Sequence, residues 1–421
     1  MAAHAVRARI AGIDVIAYPT GVKDVVTLRG SLPAGDYLSP GSNPAIATLT
    51  GAMLDKGTQR QDKFAIAGRL EGVGAQLGFS VGETMLTFSG KCLRKDLPLV
   101  ISLLAEQLRI PKFSDEEFVK LKNQIAGGLR RNLERTDYRA NEAFVRSIYP
   151  EGHPNHPPST AEFLKAIDDA SLQQVRDFHA AWYGPKKLTL IVVGDVDVQS
   201  LQTEVRHHFD GWRGGRSLPA FQKAPAASQP RVETVQMADK TNVSVIIGQT
   251  TRLQYADPDA LALRVAAAVL GRGFTGRLMA TVRDKEGLTY SIRSWVANDA
   301  FADGDFQINA EFNPSLLEKG ITSTERELRN WHDHGITAAE LERVKKDLVG
   351  TFKVGMATTE GLADSILISI HRGYGVDWLD RYPTMVGALT LEQVNGSIRR
   401  HLNPDRMTVI RAGTVGDSPK S

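Results

Sequence analysis

The chain has 421 residues, of which 42 % are hydrophobic and 24 % charged, with a formal net charge of +3. That balance suits a globular protein with a large core, and the dispersed Lys, Arg, Asp and Glu give no electrostatic case for nucleic acid or an acidic membrane surface. The single cysteine, Cys92, excludes an internal disulfide and a zinc site built on several thiolates.

The amino end "MAAHAVRARIAG" lacks the apolar run of a signal peptide, and no stretch approaches the roughly 20 apolar residues of a membrane helix. "ARIAGIDVIAYP" and "VVTLRGSL" read as the first strands. "ATLTGAMLDKGT" (Ala47–Thr58) reads as one helix that stops at Gly57. It contains no His, Cys or Glu, and Asp55 is its only acid. "TMLTFSGKC" is a strand that buries Cys92. "DLPLVISLLAEQLRI" and "FSDEEFVKLKNQIAGGL" (Phe113–Leu129) are helices, the second capped by Ser114 with Glu117 completing a capping box. "HPNHP" (His153–Pro157) places two His three apart, but its prolines preclude a shared helix face, so a structural turn is expected. His207 and His208, and later His332 and His334, are expected on solvated helix ends or polar faces. The strand "LTLIVVGDV" closes the first half. The second half supplies strands "NVSVIIGQT", "LTYSIRSWV", "DFQINAEF" and "MTVIRAGTV", with helices such as "LLEKGITSTERELRNWHDHG".

The two halves repeat one another. Ser171–Val196 and Thr390–Val415 both read Ser/Thr-Leu-x-Gln-Val, a helix, a turn with Pro, and a strand ending at Gly, at a constant offset of 390 − 171 = 219. Phe113–Leu129 matches Ile336–Phe352 at an offset of 336 − 113 = 223, with Thr337 and Glu340 as the second capping pair. The expected organisation is therefore two homologous α+β domains, 1–212 and 232–421. Each is a mostly antiparallel sheet covered by a helix layer. The stretch 213–231, rich in Gly, Pro, Ala and Ser, is the expected linker.

With "MLDKGT", "LEGVGAQLGFS", "PKFSDEEFVKLK", "DFHAAWYGPKKLTLIVVGDVD" and "VRDKEGLTYSI" in this order, the chain resembles the pitrilysin-like zinc peptidases, the family of insulin-degrading enzyme and the mitochondrial processing peptidase. The resemblance runs from about Ile10 to Gly413, and the doubled domain is a family feature. Active members carry His-x-x-Glu-His just before their version of "MLDKGT", with a distal Glu completing the zinc ligands. Here the His positions are Thr48 and Ala52, the base position is Gly51, and the distal position falls on Gly127 or Gly128. No metal is expected on this chain.

The same resemblance implies that Arg283 and Tyr290, in "RDKEGLTY", match a family pair that stabilises the oxyanion formed during peptide attack. Gly271, Gly273 and Phe274, in "LGRGFTGRL", resemble a Gly-rich loop that contacts substrate in non-catalytic processing-peptidase subunits. "GAQLGFSVGETM" matches the strand along which active members lay their peptide; without a metal beside it, an ordinary sheet edge is the expectation. The implied function is the non-catalytic subunit of a heterodimeric zinc metalloendopeptidase. A homologous His-x-x-Glu-His subunit would hold the zinc, and the substrate would be a peptide. The alternative is an inert scaffold resembling respiratory-complex core proteins. The expected compartment is the periplasm, with the cytoplasm as alternative.

Overall fold

The computed structural model describes residues 1–416. The last five residues of the expected second domain, 417–421, lie outside them. The first unit holds a six-stranded sheet in the order β1-β2-β6-β3-β5-β4. Its strands are β1 (Val6–Ile10), β2 (Ile13–Pro19), β3 (Val25–Leu32), β4 (Gln76–Val81), β5 (Leu86–Leu93) and β6 (Thr189–Gly194). Only β2 and β6 run parallel; the other pairs are antiparallel. Strand alternation sorts β5 cleanly. Leu86, Phe88, Gly90 and Cys92 are buried, while Ser89, Lys91 and Leu93 face out. The buried side packs against helices Ile46–Ala52 and Leu97–Arg109 in one continuous apolar core.

The second unit repeats this sheet without its first strand. Its order is β7-β11-β8-β10-β9, from β7 (Arg231–Gln236), β8 (Val243–Thr250), β9 (Thr289–Ala297), β10 (Asp305–Phe312) and β11 (Thr408–Gly413). Again one pair is parallel, β7 with β11. The α+β reading with mostly antiparallel sheets therefore holds. Capping boxes form at Ser171 with Gln174 and at Thr390 with Gln393, at the start of the repeated Ser/Thr-Leu-x-Gln-Val segments. The Glu340 N–H donates to Thr337 Oγ1 and the Thr337 N–H to Glu340 Oε2, at 3.2 and 2.8 Å. At the matching first-half position, the Glu117 carboxylate is taken by Lys63 Nζ at 2.7 Å.

Compactness divides the chain differently from the sequence repeat. The first unit comprises Met1–Leu129, Pro158–Ala220 and Phe352–Asp380; the second comprises Arg130–Pro157, Phe221–Thr351 and the chain from Arg381 on. The contiguous division at 213–231 thus differs from the packing, because each sheet takes a helix from the other half of the sequence. Helix Thr359–His371 packs on β3 and β6, and helix Thr136–Ile148 packs on β8 and β11. The exchange is itself repeated. Thr27 Oγ1 meets Thr359 Oγ1 at 2.8 Å in the first unit, and Ser244 Oγ donates to Thr136 Oγ1 at 2.8 Å in the second. The two helix starts are 359 − 136 = 223 residues apart, the offset already seen in the preceding helices. Arg231, assigned to the linker by its neighbours, begins β7.

Two sequence readings resolve simply. In "HPNHP", His153 Nε2 lies 3.1 Å from Asp303 Oδ1, its ring stacks on Tyr149 at 4.6 Å, and His156 Nδ1 meets the Tyr149 carbonyl at 2.7 Å. Both rings pin a turn, as expected. Cys92 is buried, and burial pushes its thiol up to about 12. A thiol-selective reagent is therefore expected to leave the native chain unmodified at pH 8 and to label one site only after denaturation. Rapid native labelling, followed by absorbance, would contradict that.

Candidate functional site

The first candidate position is the helix where active family members bind metal. It spans only Ile46–Ala52, ending five residues before Gly57, whose φ of +116° instead serves a bridge to Asp62. Thr48 is not free to ligate anything. Its Oγ1 donates to Asp36 Oδ1 at 2.7 Å, with Oδ2 at 2.9 Å, and its N–H donates to Oδ1 at 3.0 Å. At Gly51 an added Cβ would stand 2.3 Å from Val81 Cγ2 and 2.9 Å from Leu86 Cδ1. The strand edge has closed onto the helix where a base would project. The Tyr183 hydroxyl lies 3.8 Å from that same Cβ position and is buried without a hydrogen-bond partner among the described residues. Gly127 and Gly128 sit in helix Asp115–Asn132 and offer no ligand.

Sequence reasoning missed Asp36 and Tyr183. Asp36 lies in no quoted motif, nothing marks Tyr183 within "DFHAAWYGPKKLTLIVVGDVD", and both reach the site through tertiary packing. Burial pushes the Asp36 carboxyl up to about 7; the Thr48 hydrogen bonds oppose the rise and the Glu83 charge adds to it. The folded chain therefore favours the protonated form. The stability this confers is complete below about pH 4 and is lost as pH rises towards 7, where the carboxylate must ionise inside the fold. Asp36 keeps part of its surface at solvent, which screens the cost. Asp36→Asn keeps an acceptor for Thr48 and removes the ionisation. It is expected to be more stable than the parent by about 2 kcal/mol at pH 8 and indistinguishable near pH 4. Urea titrations across that range are the measurement; parallel pH dependences in the two proteins would refute the assignment.

The second candidate position lies wholly in the second unit. The stretch Met279–Lys285 forms a π-helical turn, a geometry that recurs at functional sites. Gly287, at φ +66°, ends it, with its N–H donating to the Arg283 carbonyl at 2.9 Å. The chain then reverses into β9, the sheet edge, and Arg283 and Tyr290 come together. The Arg283 guanidinium carbon stands 4.9 Å from the Tyr290 ring centre and 5.1 Å from the Phe274 ring centre. The two rings are 83 % and 71 % exposed. No acceptor among the described residues hydrogen-bonds the guanidinium, and the Asp284 carboxylate stays 3.9 Å away. Glu286 is occupied by Ser323 Oγ at 2.6 Å and Arg326 at 2.5 Å. The result is a cation held by aromatic faces, with its N–H groups left for an incoming acceptor.

Of the Gly-rich loop, Gly273 (φ +64°) and Phe274 are exposed. Gly271 is buried. It ends the buried helix Ala260–Gly271, and a Cβ there would lie 2.2 Å from the Ser294 nitrogen of β9. Its smallness lets the helix pack on the strand, which positions the loop.

A family description, the peptidase M16 inactive domain, matches residues 169–348. A crystal structure of a peptidase M16 inactive domain from Pseudomonas fluorescens superposes with a TM-score of 0.89 at 25 % identity, covering 99 % of this chain and 100 % of that one. The matched description and the shared fold make the chain similar to the M16, or pitrilysin-like, peptidases. Among curated relatives, the chain is 25 % identical to an uncharacterized zinc protease of Streptomyces coelicolor, over 79 % of its own length and 74 % of that protein. It is 23 % identical to the non-peptidase homolog YmxG of Helicobacter pylori, over 89 % and 85 % respectively. The residues present do not fit the family's zinc. Thr48 is spent on Asp36, Gly51 faces a closed strand, and Ala52 and Gly128 carry no donor. Among the described residues, no group of three His, Cys, Asp or Glu side chains is placed to hold a metal ion.

Proposed function

We propose that this M16-like chain is the non-catalytic subunit of a heterodimeric zinc metalloendopeptidase. A homologue bearing His-x-x-Glu-His would hold the metal and the general base. This chain would present Arg283 and Tyr290 to the peptide carbonyl on which negative charge develops. One observation carries the reading. The metal position is packed shut, while the Phe274–Arg283–Tyr290 stack stays exposed with unspent donors. An inert scaffold gains nothing from two exposed rings flanking a cation, since exposed aromatic surface is costly in water.

The experiment is co-expression with a His-x-x-Glu-His homologue from the same genome, followed by size-exclusion chromatography and cleavage of an unfolded polypeptide. A one-to-one complex that cleaves only with zinc present, and faster than the partner alone, is the expected result. A partner that co-elutes but cleaves equally well without this chain would favour the scaffold.

A further inference from the structure

In the second unit, a cleft of about 470 Å³ opens beside the end of β8. β11 begins at Thr408, opposite Gly248, so residues 249–253 continue past it with no strand on that side. Helix Leu391–His401 ends next to them, with Gln249 Nε2 donating to the His401 carbonyl at 3.2 Å. Leu253 and Leu402 give the cleft an apolar wall, and Lys223, Arg252 and Arg400 give it three cations. Among the described residues, no Asp or Glu lines it.

The cations are only partly spent. Arg400 is held by Asp259, which accepts from its Nε and Nη2 at 2.9 Å each and meets His401 Nε2 at 2.8 Å. That leaves the Arg400 Nη1 group without an acceptor among the described residues. Lys223 Nζ donates to the Arg252 carbonyl at 3.1 Å and to Asp257 Oδ2 at 3.2 Å, which leaves one of its three N–H bonds. Arg252 is exposed, and no hydrogen bond or ion pair among the described residues takes its guanidinium. Two carboxylates thus answer three permanent cations, and the cleft carries surplus positive charge.

The backbone at Arg252 is strained. Its φ is +59°, in the left-handed region that side chains other than Asn and Asp seldom enter. Gly304 imposes it. The Gly304 carbonyl accepts from the Thr251 N–H at 2.8 Å and from Thr251 Oγ1 at 3.0 Å, while its N–H donates to the Leu253 carbonyl at 2.9 Å. The residue between is turned outward. Glycine would adopt this conformation without strain, so the fold keeps an arginine where the backbone favours its removal. We propose that this cleft binds a small organic anion, a phosphate or carboxylate head on a compact apolar body. The head takes the unspent donors of Arg252, Lys223 and Arg400, and the body covers Leu253 and Leu402. The proposal does not rest on the pairing reading, because it concerns binding to this chain alone.

The test is calorimetric titration of the whole chain, at neutral pH and low salt. Phenyl phosphate and benzoate serve as the anions, and inorganic phosphate and benzyl alcohol as the head and the body alone. At least one of the two organic anions is expected to bind with a dissociation constant of about 1 mM or tighter, and the tighter of them identifies the head. Head and body alone should each bind at least about five-fold more weakly. Raising the salt from about 20 to about 200 mM should weaken binding at least about three-fold. Arg252→Gly removes the free cation and relieves the backbone, so it should weaken binding at least about ten-fold at an equal or higher melting temperature. Lys223→Met, on an exposed side chain, answers the same question if Arg252→Gly proves unstable. No heat up to about 10 mM of either anion, equal affinity for inorganic phosphate or benzyl alcohol, or parent-like binding by the variants would each overturn the proposal.

Discussion

Gly51→Glu is expected to destabilise the chain by about 3 kcal/mol or more, although it restores the residue type that active relatives use at this position. The first reason is steric. The new Cβ would stand 2.3 Å from Val81 Cγ2 and 2.9 Å from Leu86 Cδ1, so these packed side chains, or the strands that carry them, must shift before the rest of the side chain is placed. The second is electrostatic, because a carboxylate would be brought beside Asp36, whose own ionisation is already suppressed by burial. Adding Thr48→His, Ala52→His and Gly128→Glu compounds the damage. Thr48→His removes the hydroxyl that donates to the Asp36 carboxyl and leaves only the backbone N–H of residue 48 to hold it. The quadruple variant should therefore bind zinc weakly and cleave poorly, since ligands need an ordered surrounding shell. Thermal melts and zinc titration decide the matter. A Gly51→Glu protein melting within about 2 °C of the parent would show the packing to be more yielding than the distances imply.

In the heterodimer proposed above, Arg283→Ala and Tyr290→Phe should each cut turnover by on the order of 10²-fold, while leaving this chain's melting temperature nearly unchanged. Folding is spared because Tyr290 is 83 % exposed and Arg283 makes no hydrogen bond through its guanidinium among the described residues. The kinetic pattern separates the possible roles. Loss of an interaction made mainly in the transition state lowers kcat and kcat/KM together, whereas loss of ordinary substrate binding raises KM alone. The first pattern is expected for Arg283. Tyr290→Phe keeps the ring that stacks on the guanidinium and removes only the hydroxyl, so it isolates the phenolic hydrogen bond from the cation–π contact. Steady-state kinetics of the complex that are indifferent to both substitutions would remove the half-site reading and leave a scaffold.

The sequence by itself determined the doubled α+β architecture, the capping pair of Thr337 with Glu340, and the absence of His and Glu at the positions that the resemblance matches to metal ligands. Each is written in residues near one another in the chain. A capping box spans three residues, a strand alternates every second residue, and a missing His needs no geometry to be missing. The pairing of Arg283 with Tyr290 was legible for the same reason: a turn ending at Gly287 folds seven residues back on themselves. Tertiary structure alone decided the rest. Helices Thr136–Ile148 and Thr359–His371 carry no sequence mark of which sheet they join. The Asp36 carboxyl reaches Thr48 across twelve residues through packing that no periodicity announces. Gly271 is closed over by Ser294, twenty-three positions on. Local patterns encode elements because backbone geometry repeats over a few residues. Which surfaces meet, and which stay open, depends on volumes and charges brought together from distant parts of the chain.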